Sequence, residues 1–153
     1  MASYNRWMNE RLYALCAELS DAERKRDRGA FFESIHGTLN HILLGDRIWL
    51  GRFVGRPIAV RSMDQELYAE FDELRSEREI TDREITAWAE SLTAEALGRS
   101  LEYGSSRRPF WVAVVHFFNH QTHHRGQLTT LLSQIGIDPG VTDLIALPGL
   151  VAG

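Results

Sequence analysis

Apolar side chains recur every three or four residues through four separate stretches of this chain, and no stretch shows a convincing strand-like alternation. In the first stretch they are Tyr4, Met8, Leu12, Leu15 and Leu19. This spacing places them on one face of a helix and predicts a first helix over roughly residues 3–19. Such a chain is expected to fold by burying helix faces against one another.

Three further long helices are predicted by the same spacing: residues 31 or 34 to 53, residues 62 to 92 with a break possible at 81–82, and residues 110 to 135. The capping pattern Ser20-Asp-Ala-Glu23 predicts a short helical turn between the first two. A short hairpin is expected around Leu101-Glu-Tyr103, and the tail from Ile137 to Gly153 is expected to be irregular.

The predicted fold class is all-α, a four-helix bundle formed by these helices. A chain of 153 residues is long enough for one domain with a substantial core. The sequence contains no internal repeat or linker-like change of composition, so residues 1–153 are interpreted as one domain.

Charge and composition argue against several classes of partner. The formal net charge is −4, and the basic run at 24–28 is short and interrupted, so no nucleic-acid partner is expected. No apolar stretch reaches the roughly 18 residues of a membrane span, and no signal region follows the start. The single cysteine, Cys16, lies one helical turn from Leu12 and Leu19 and is interpreted as an inert core thiol. A cytoplasmic protein is the expectation.

Four of the six histidines fall within nine positions near the C-terminal end: His116, His120, His123 and His124. His120 and His124 are four apart, so on a helix their imidazoles lie on the same side and can bind one ion. His123 points about 100° away from His124 on a helix and is a poorer partner.

A third ligand is needed because two histidines seldom hold a metal alone. His41 is the best candidate, since it lies beside the apolar face of the second helix. Gly45, one turn later, removes side-chain bulk there, and Asn40 and Asp46 could orient a ligand histidine. A lone inward histidine is usually a hydrogen-bonded core residue, but three directed at one interior favour a metal site with open positions.

Three motifs resemble those of the DinB/YfiT-like metalloenzymes, the DNA-damage-inducible DinB family. They are Tyr4-Asn-Arg-Trp7, Gly37-Thr-Leu-Asn-His41 followed by Asp46-Arg-Ile-Trp49, and Asn119-His120-Gln-Thr-His-His124-Arg-Gly-Gln127. The resemblance covers nearly the whole chain. It implies a four-helix bundle with a long crossover connection, pairing into a homodimer, and one divalent ion bound by His41, His120 and His124. His36, His116 and His123 are not required by that pattern, and their roles stay open.

The resemblance also implies a class of chemistry. Some relatives are metal-dependent S-transferases or isomerases that use a low-molecular-weight thiol, with a small molecule as substrate. A metal-dependent hydrolase and a non-catalytic, stress-associated metal-binding dimer are the alternatives. The ion could be Zn, Ni, Fe or Mn, because imidazole suits each of them. No catalytic residue is assigned, although Arg47 and Arg125 could bind carboxylates of a co-substrate.

A homodimer is expected on a second ground. Apolar residues of the third helix and the tail are predicted to be exposed: Tyr68, Trp88, Leu147 and Leu150. Exposed apolar groups on two segments favour a two-fold assembly that covers them.

Overall fold

Helices make up most of the structure, a computed structural model that describes residues 1–150. In chain order they are α1 (Ala2–Ala17), α2 (Asp21–Lys25), α3 (Ile35–Phe53), α4 (Phe71–Glu90), α5 (Ala94–Leu97) and α6 (Phe110–Gln134), followed by a 3₁₀ turn at Leu144–Ala146. The last three residues of the predicted irregular tail, 151–153, lie outside the described residues. Over residues 1–150 no helix combines the length and apolar character needed to cross a membrane.

The four long helices pack around a shared core. Helix α1 contacts α4 and α6, and α3 contacts the same two helices. One apolar cluster takes a fully buried leucine from each long helix: Leu12, Leu43, Leu74 and Leu132. A second cluster includes Leu50, Ile85 and Phe117. Burying each such side chain stabilises the fold by about 1.5–3 kcal/mol.

A layer of buried polar residues separates the two clusters along the helices. Arg78 on α4 lies between Asp46 of α3, at 2.5 Å, and Asp82, at 3.0 Å. The second distance suits an ion pair, but the atoms are poorly aligned for a hydrogen bond. Gln121 of α6 donates to Asp46 at 2.7 Å, and Asn9 of α1 donates to Asp82 at 2.9 Å. All four long helices are therefore joined through one ionic network.

A two-stranded antiparallel hairpin joins α5 to α6. Its strands are β1 (Ser100–Tyr103) and β2 (Ser106–Pro109), with Tyr103 paired to Ser106. Gly104 in the turn has φ +59°, which glycine adopts without the steric cost of a side chain. The predicted short hairpin is confirmed, and the fold is mostly helical with a small sheet rather than purely α.

The predicted start of the third long helix is wrong. Ser62 lies in a turn rather than at a helix cap, and α4 begins nine residues later, at Phe71. The intervening chain is held by tertiary hydrogen bonds: Asn40 of α3 accepts from the backbone amides of Leu67 and Tyr68 at 2.8 and 3.0 Å. These bonds hold an irregular backbone of turns and bends where local spacing favoured a helix. The break considered at 81–82 does not occur, because α4 is continuous there.

Three of the four apolar residues predicted to be exposed are not. Trp88 is 8% exposed and packs on Phe53 and Phe117 in the second cluster, and Tyr68 is half-buried against the first. Leu147 is likewise half-buried, whereas Leu150 is 54% exposed. Trp88 lies on the buried face of α4, so these residues do not form an exposed apolar surface that a second copy could cover.

Candidate metal centre

Three imidazoles meet between α3 and α6. The Nε2 atom of His124 lies 3.2 Å from Nε2 of His41 and 3.1 Å from Nε2 of His120. One ring nitrogen from each residue lies within 4.8 Å of the other two. Within residues 1–150 no cysteine or carboxylate joins this group. The structure therefore brings together the three histidines that the sequence singled out.

Helix geometry accounts for this convergence. His120 and His124 are one turn apart on α6, and their ring centroids are 4.4 Å apart. His41 lies on α3, which packs against α6, and its ring is 4.5 Å from that of His124. His124 thus occupies the middle of the group.

The outer nitrogens of two of these rings are held by carbonyl oxygens. His41 Nδ1 lies 2.8 Å from the backbone carbonyl of Met63, and His124 Nδ1 lies 2.7 Å from Oε1 of Gln127. A carbonyl oxygen only accepts, so each Nδ1 carries the proton and donates. In a neutral imidazole the Nε2 atom then carries a lone pair.

Two such lone pairs face each other at 3.2 Å across His41 and His124. Neither nitrogen has a proton to donate, so the contact cannot be an ordinary hydrogen bond between neutral rings. A cation between the nitrogens would turn repulsion into ligation. Nitrogens about 2.0–2.1 Å from a tetrahedral ion are roughly 3.3 Å apart, close to the spacing found. The donor set fits a divalent ion.

Burial favours the neutral, ligand-competent form of each ring. It lowers the pKa of His41 and His124, although the hydrogen bonds to Met63 and Gln127 act in the opposite direction. Burial, together with repulsion from the neighbouring imidazoles, lowers the pKa of His120 to about 3. Each of the three rings is consequently a neutral nitrogen donor at pH 7.

Two glycines allow the rings to approach. A Cβ atom at Gly45 would lie 2.7 Å from Cε1 of His120, so the missing side chain makes room for the ligand ring itself. A Cβ at Gly37 would meet the backbone carbonyl oxygen of Phe32. That approach lets the Phe32 ring stack on His41, with centroids 3.7 Å apart. Gly45 does leave space beside α3, as expected, but the imidazole of His120 fills this space.

The groups that orient the candidate ligand histidines differ from those expected. Asp46 is engaged by Arg78 and Gln121, and Asn40 holds the 63–68 segment rather than a ligand ring. It is the carbonyl of Met63 in that segment that accepts from His41. A backbone carbonyl carries no sequence signal. Gln127, three residues after His124 on the same helix, could have been found from its spacing.

The other histidines lie outside the group. His36 is buried, and its Nε2 lies 2.9 Å from the carbonyl of Tyr68. His123 is exposed, as its helical angle predicted. His116 is also exposed, and its ring centroid is 6.0 Å from that of His120.

The two arginines considered for co-substrate binding are engaged by the protein. Arg47 pairs with Glu77 and donates to the Tyr68 hydroxyl at 2.8 Å. Arg125 is buried and donates to the side chain of Asn5. Both guanidinium groups are therefore engaged within the protein rather than free to bind a carboxylate of a co-substrate.

Comparison with known proteins agrees with the motifs. The model of the DinB family matches residues 1–149. Protein DinB of Bacillus subtilis (strain 168) is 26% identical over 149 residues, which cover 92% of this chain and 87% of that protein. A crystal structure of a DinB-like protein from Bacillus cereus ATCC 10987 has a similar fold, with a TM-score of 0.67 at 20% identity, over 88% of this chain and 91% of that one. This chain belongs to the DinB family.

Proposed function

We propose that this chain is a metal-dependent enzyme, a four-helix bundle with a long crossover connection that binds one divalent ion through His41, His120 and His124. The reaction proposed is S-transfer or isomerisation with a low-molecular-weight thiol as co-substrate. One observation carries the proposal: the unprotonated Nε2 atoms of His41 and His124 face each other at 3.2 Å, with the Nε2 of His120 beside them.

Thiol chemistry suits a site with three neutral ligands. Three imidazoles leave coordination positions open, and a divalent ion there would lower the pKa of a thiol that binds to it. Activation of water for hydrolysis is favoured by a general base beside the ion. Within residues 1–150 no carboxylate belongs to the histidine group. Transfer would form a carbon–sulfur bond, release the leaving group of the electrophile and pass the thiol proton to solvent. Zn, Ni, Fe and Mn all remain suitable ions.

Two measurements on protein made without an affinity tag test this function. Metal analysis should find about one divalent ion per chain, and the loaded protein should consume a small thiol in the presence of 1-chloro-2,4-dinitrobenzene. Chelation and His124→Ala should abolish the reaction, while His123→Ala serves as the matched control. Bound metal without thiol consumption would favour a storage or structural role. Hydrolysis of an ester without thiol would favour a hydrolase. A lack of metal would remove the proposal.

We also propose a two-fold homodimer. Its support is an exposed apolar surface on α6, where Trp111 and Val115 are one turn apart and 54% and 59% exposed. Val115 also lines a groove of about 780 Å³ between α1, α6 and the 142–144 segment. Light scattering at micromolar concentration should give twice the chain mass. Val115→Glu should lower that mass, and a monomer in the unaltered protein would end this proposal.

A further inference from the structure

A cavity of about 360 Å³ opens beside the histidine group. Helix α3, residues 57–63, the hairpin and α6 enclose it, and His120 and Met63 belong both to its wall and to the metal centre. The volume falls in the range of small-molecule sites, about 300–1,000 Å³. A molecule in this cavity would therefore lie directly against a proposed metal ligand.

One line of residues on α3 runs along the cavity. His41, Gly45, Ile48 and Arg52 are spaced by four, three and four positions, so they share one side of the helix. At 1.5 Å per residue, His41 and Arg52 are about 16 Å apart along the axis. The metal centre lies at one end of this line and a guanidinium at the other.

Arg52 rests on an aromatic platform. Its Cζ atom is 5.0 Å from the centroid of Trp49 and 5.3 Å from that of Tyr103. These two rings are stacked, 5.6 Å apart and 7° from parallel. A cation held over ring faces keeps its N–H groups at the edge of the plane, where they can donate to an oxyanion. Over residues 1–150 no carboxylate forms an ion pair with Arg52.

The remaining wall has no competing negative charge. Among the described residues that line the cavity none is acidic, and Ile48, Ile58 and Val60 make much of it apolar. Apolar walls with one cation favour an organic molecule that carries a single anionic end. A planar carboxylate matches the fork of a guanidinium.

We propose that this cavity binds an elongated thiol carboxylate, with its sulfur at the metal and its carboxylate at Arg52. A long side chain on a helix leans toward the helix N-terminus, here toward His41. The position of Cζ over Trp49, three residues earlier, agrees with this direction. The Nε2 atom of His120 lies 3.7 Å from the place a Cβ of Gly45 would take, and Gly45 is seven residues before Arg52, so the ion and the guanidinium are at most roughly 10 Å apart along the axis. The thiol end of this proposal rests on the proposed function, whereas the carboxylate end does not.

The test uses cobalt-loaded protein, because Co²⁺ reports thiol binding in its visible spectrum. Two ligands of equal length are titrated, 6-mercaptohexanoate and 6-mercaptohexan-1-ol. The carboxylate should bind about three- to tenfold more tightly than the alcohol. Arg52→Gln should remove that preference and leave the affinity of the alcohol unchanged. Arg75→Gln, which removes an exposed arginine from α4, is the control and should keep the preference.

Length and metal dependence separate the possible failures. The shorter 3-mercaptopropionate reaches Arg52 only when fully extended, so its affinity should depend less on Arg52 than that of 6-mercaptohexanoate. A carboxylate preference that survives in Arg52→Gln would overturn the proposal. If cobalt or the thiols do not bind, the proposed function fails, and the carboxylate end is then judged by calorimetry of hexanoate and 1-hexanol with metal-free protein. Equal binding of hexanoate to the unaltered protein and to Arg52→Gln would show that Arg52 does not bind the carboxylate.

Discussion

If the proposed metal site is correct, replacing His124 with alanine should remove most of the bound metal. His124 is the middle histidine of the proposed site, and its Nε2 atom lies 3.2 Å from that of His41 and 3.1 Å from that of His120. Without it, the two remaining rings have centroids 5.2 Å apart on different helices. His123→Ala is the matched control, because it deletes an exposed imidazole at the adjacent position.

The expected effect on stability follows from mass action. Free metal at about 100 times its dissociation constant stabilises the folded protein by about 2.7 kcal/mol. For a chain of this length that is a rise of roughly 5–10 °C in the unfolding midpoint. Loss of a ligand should weaken binding by about 100-fold or more, since changes to supporting groups alone cost about 10–100-fold. At the same metal concentration only about 0.4 kcal/mol would remain.

The assay is thermal unfolding of each variant with metal and with excess chelator. His124 is buried beside Phe32, so alanine also leaves a cavity, which destabilises the protein in both conditions. Only the difference between the two midpoints reports the ion. That difference should nearly vanish in His124→Ala and persist in His123→Ala. The opposite pattern would show that the wrong face of α6 has been assigned to the ion.

Three further predictions concern the glycine beside His120, the buried thiol of Cys16 and the buried ionic network. Gly45→Ala should weaken metal binding about tenfold or more in a chelator competition, because the new Cβ would lie 2.7 Å from Cε1 of His120. Gly126→Ala is the control, since a Cβ there meets nothing within 4 Å and should not change the affinity. Equal metal affinities of the two variants would contradict the proposed clash. Cys16, whose pKa burial raises to about 12, should react with iodoacetamide at pH 8 only as the protein unfolds; rapid labelling of folded protein would refute this. Arg78→Met should cost about 3–5 kcal/mol in urea unfolding, because the buried carboxylates of Asp46 and Asp82 would lose their shared cation, and a change below about 1 kcal/mol would show that the buried network is dispensable.

The parts of the fold that sequence predicted are those set by local spacing. The first, second and fourth long helices were placed to within a few residues at each end, and Ser20 caps α2 by accepting from the amide of Glu23. Each rests on apolar periodicity or a capping pattern, which depend on neighbours in the chain. The convergence of His120 and His124 follows from the same helical geometry.

The parts that sequence missed depend on contacts between distant segments. Residues 62–70 are not helical, because Asn40 binds the backbone of Leu67 and Tyr68 there, and the same segment brings the Met63 carbonyl to His41. Neither contact has a periodic signal. The position of Arg52 was missed for a similar reason, since its guanidinium lies over Trp49 of the same helix and Tyr103 of the hairpin.

The charge of the donor set supports the proposal that a thiol carboxylate binds at this site. Three neutral imidazoles contribute no negative charge, and within residues 1–150 no carboxylate joins them. The nearby aspartate Asp46 is already balanced by Arg78. An ion held by these rings would keep its full double positive charge, which favours an anionic ligand at the open positions more than a site with a carboxylate would. Arg52 places a further positive charge along the same cavity. A molecule that offers a thiolate at one end and a carboxylate at the other would neutralise both.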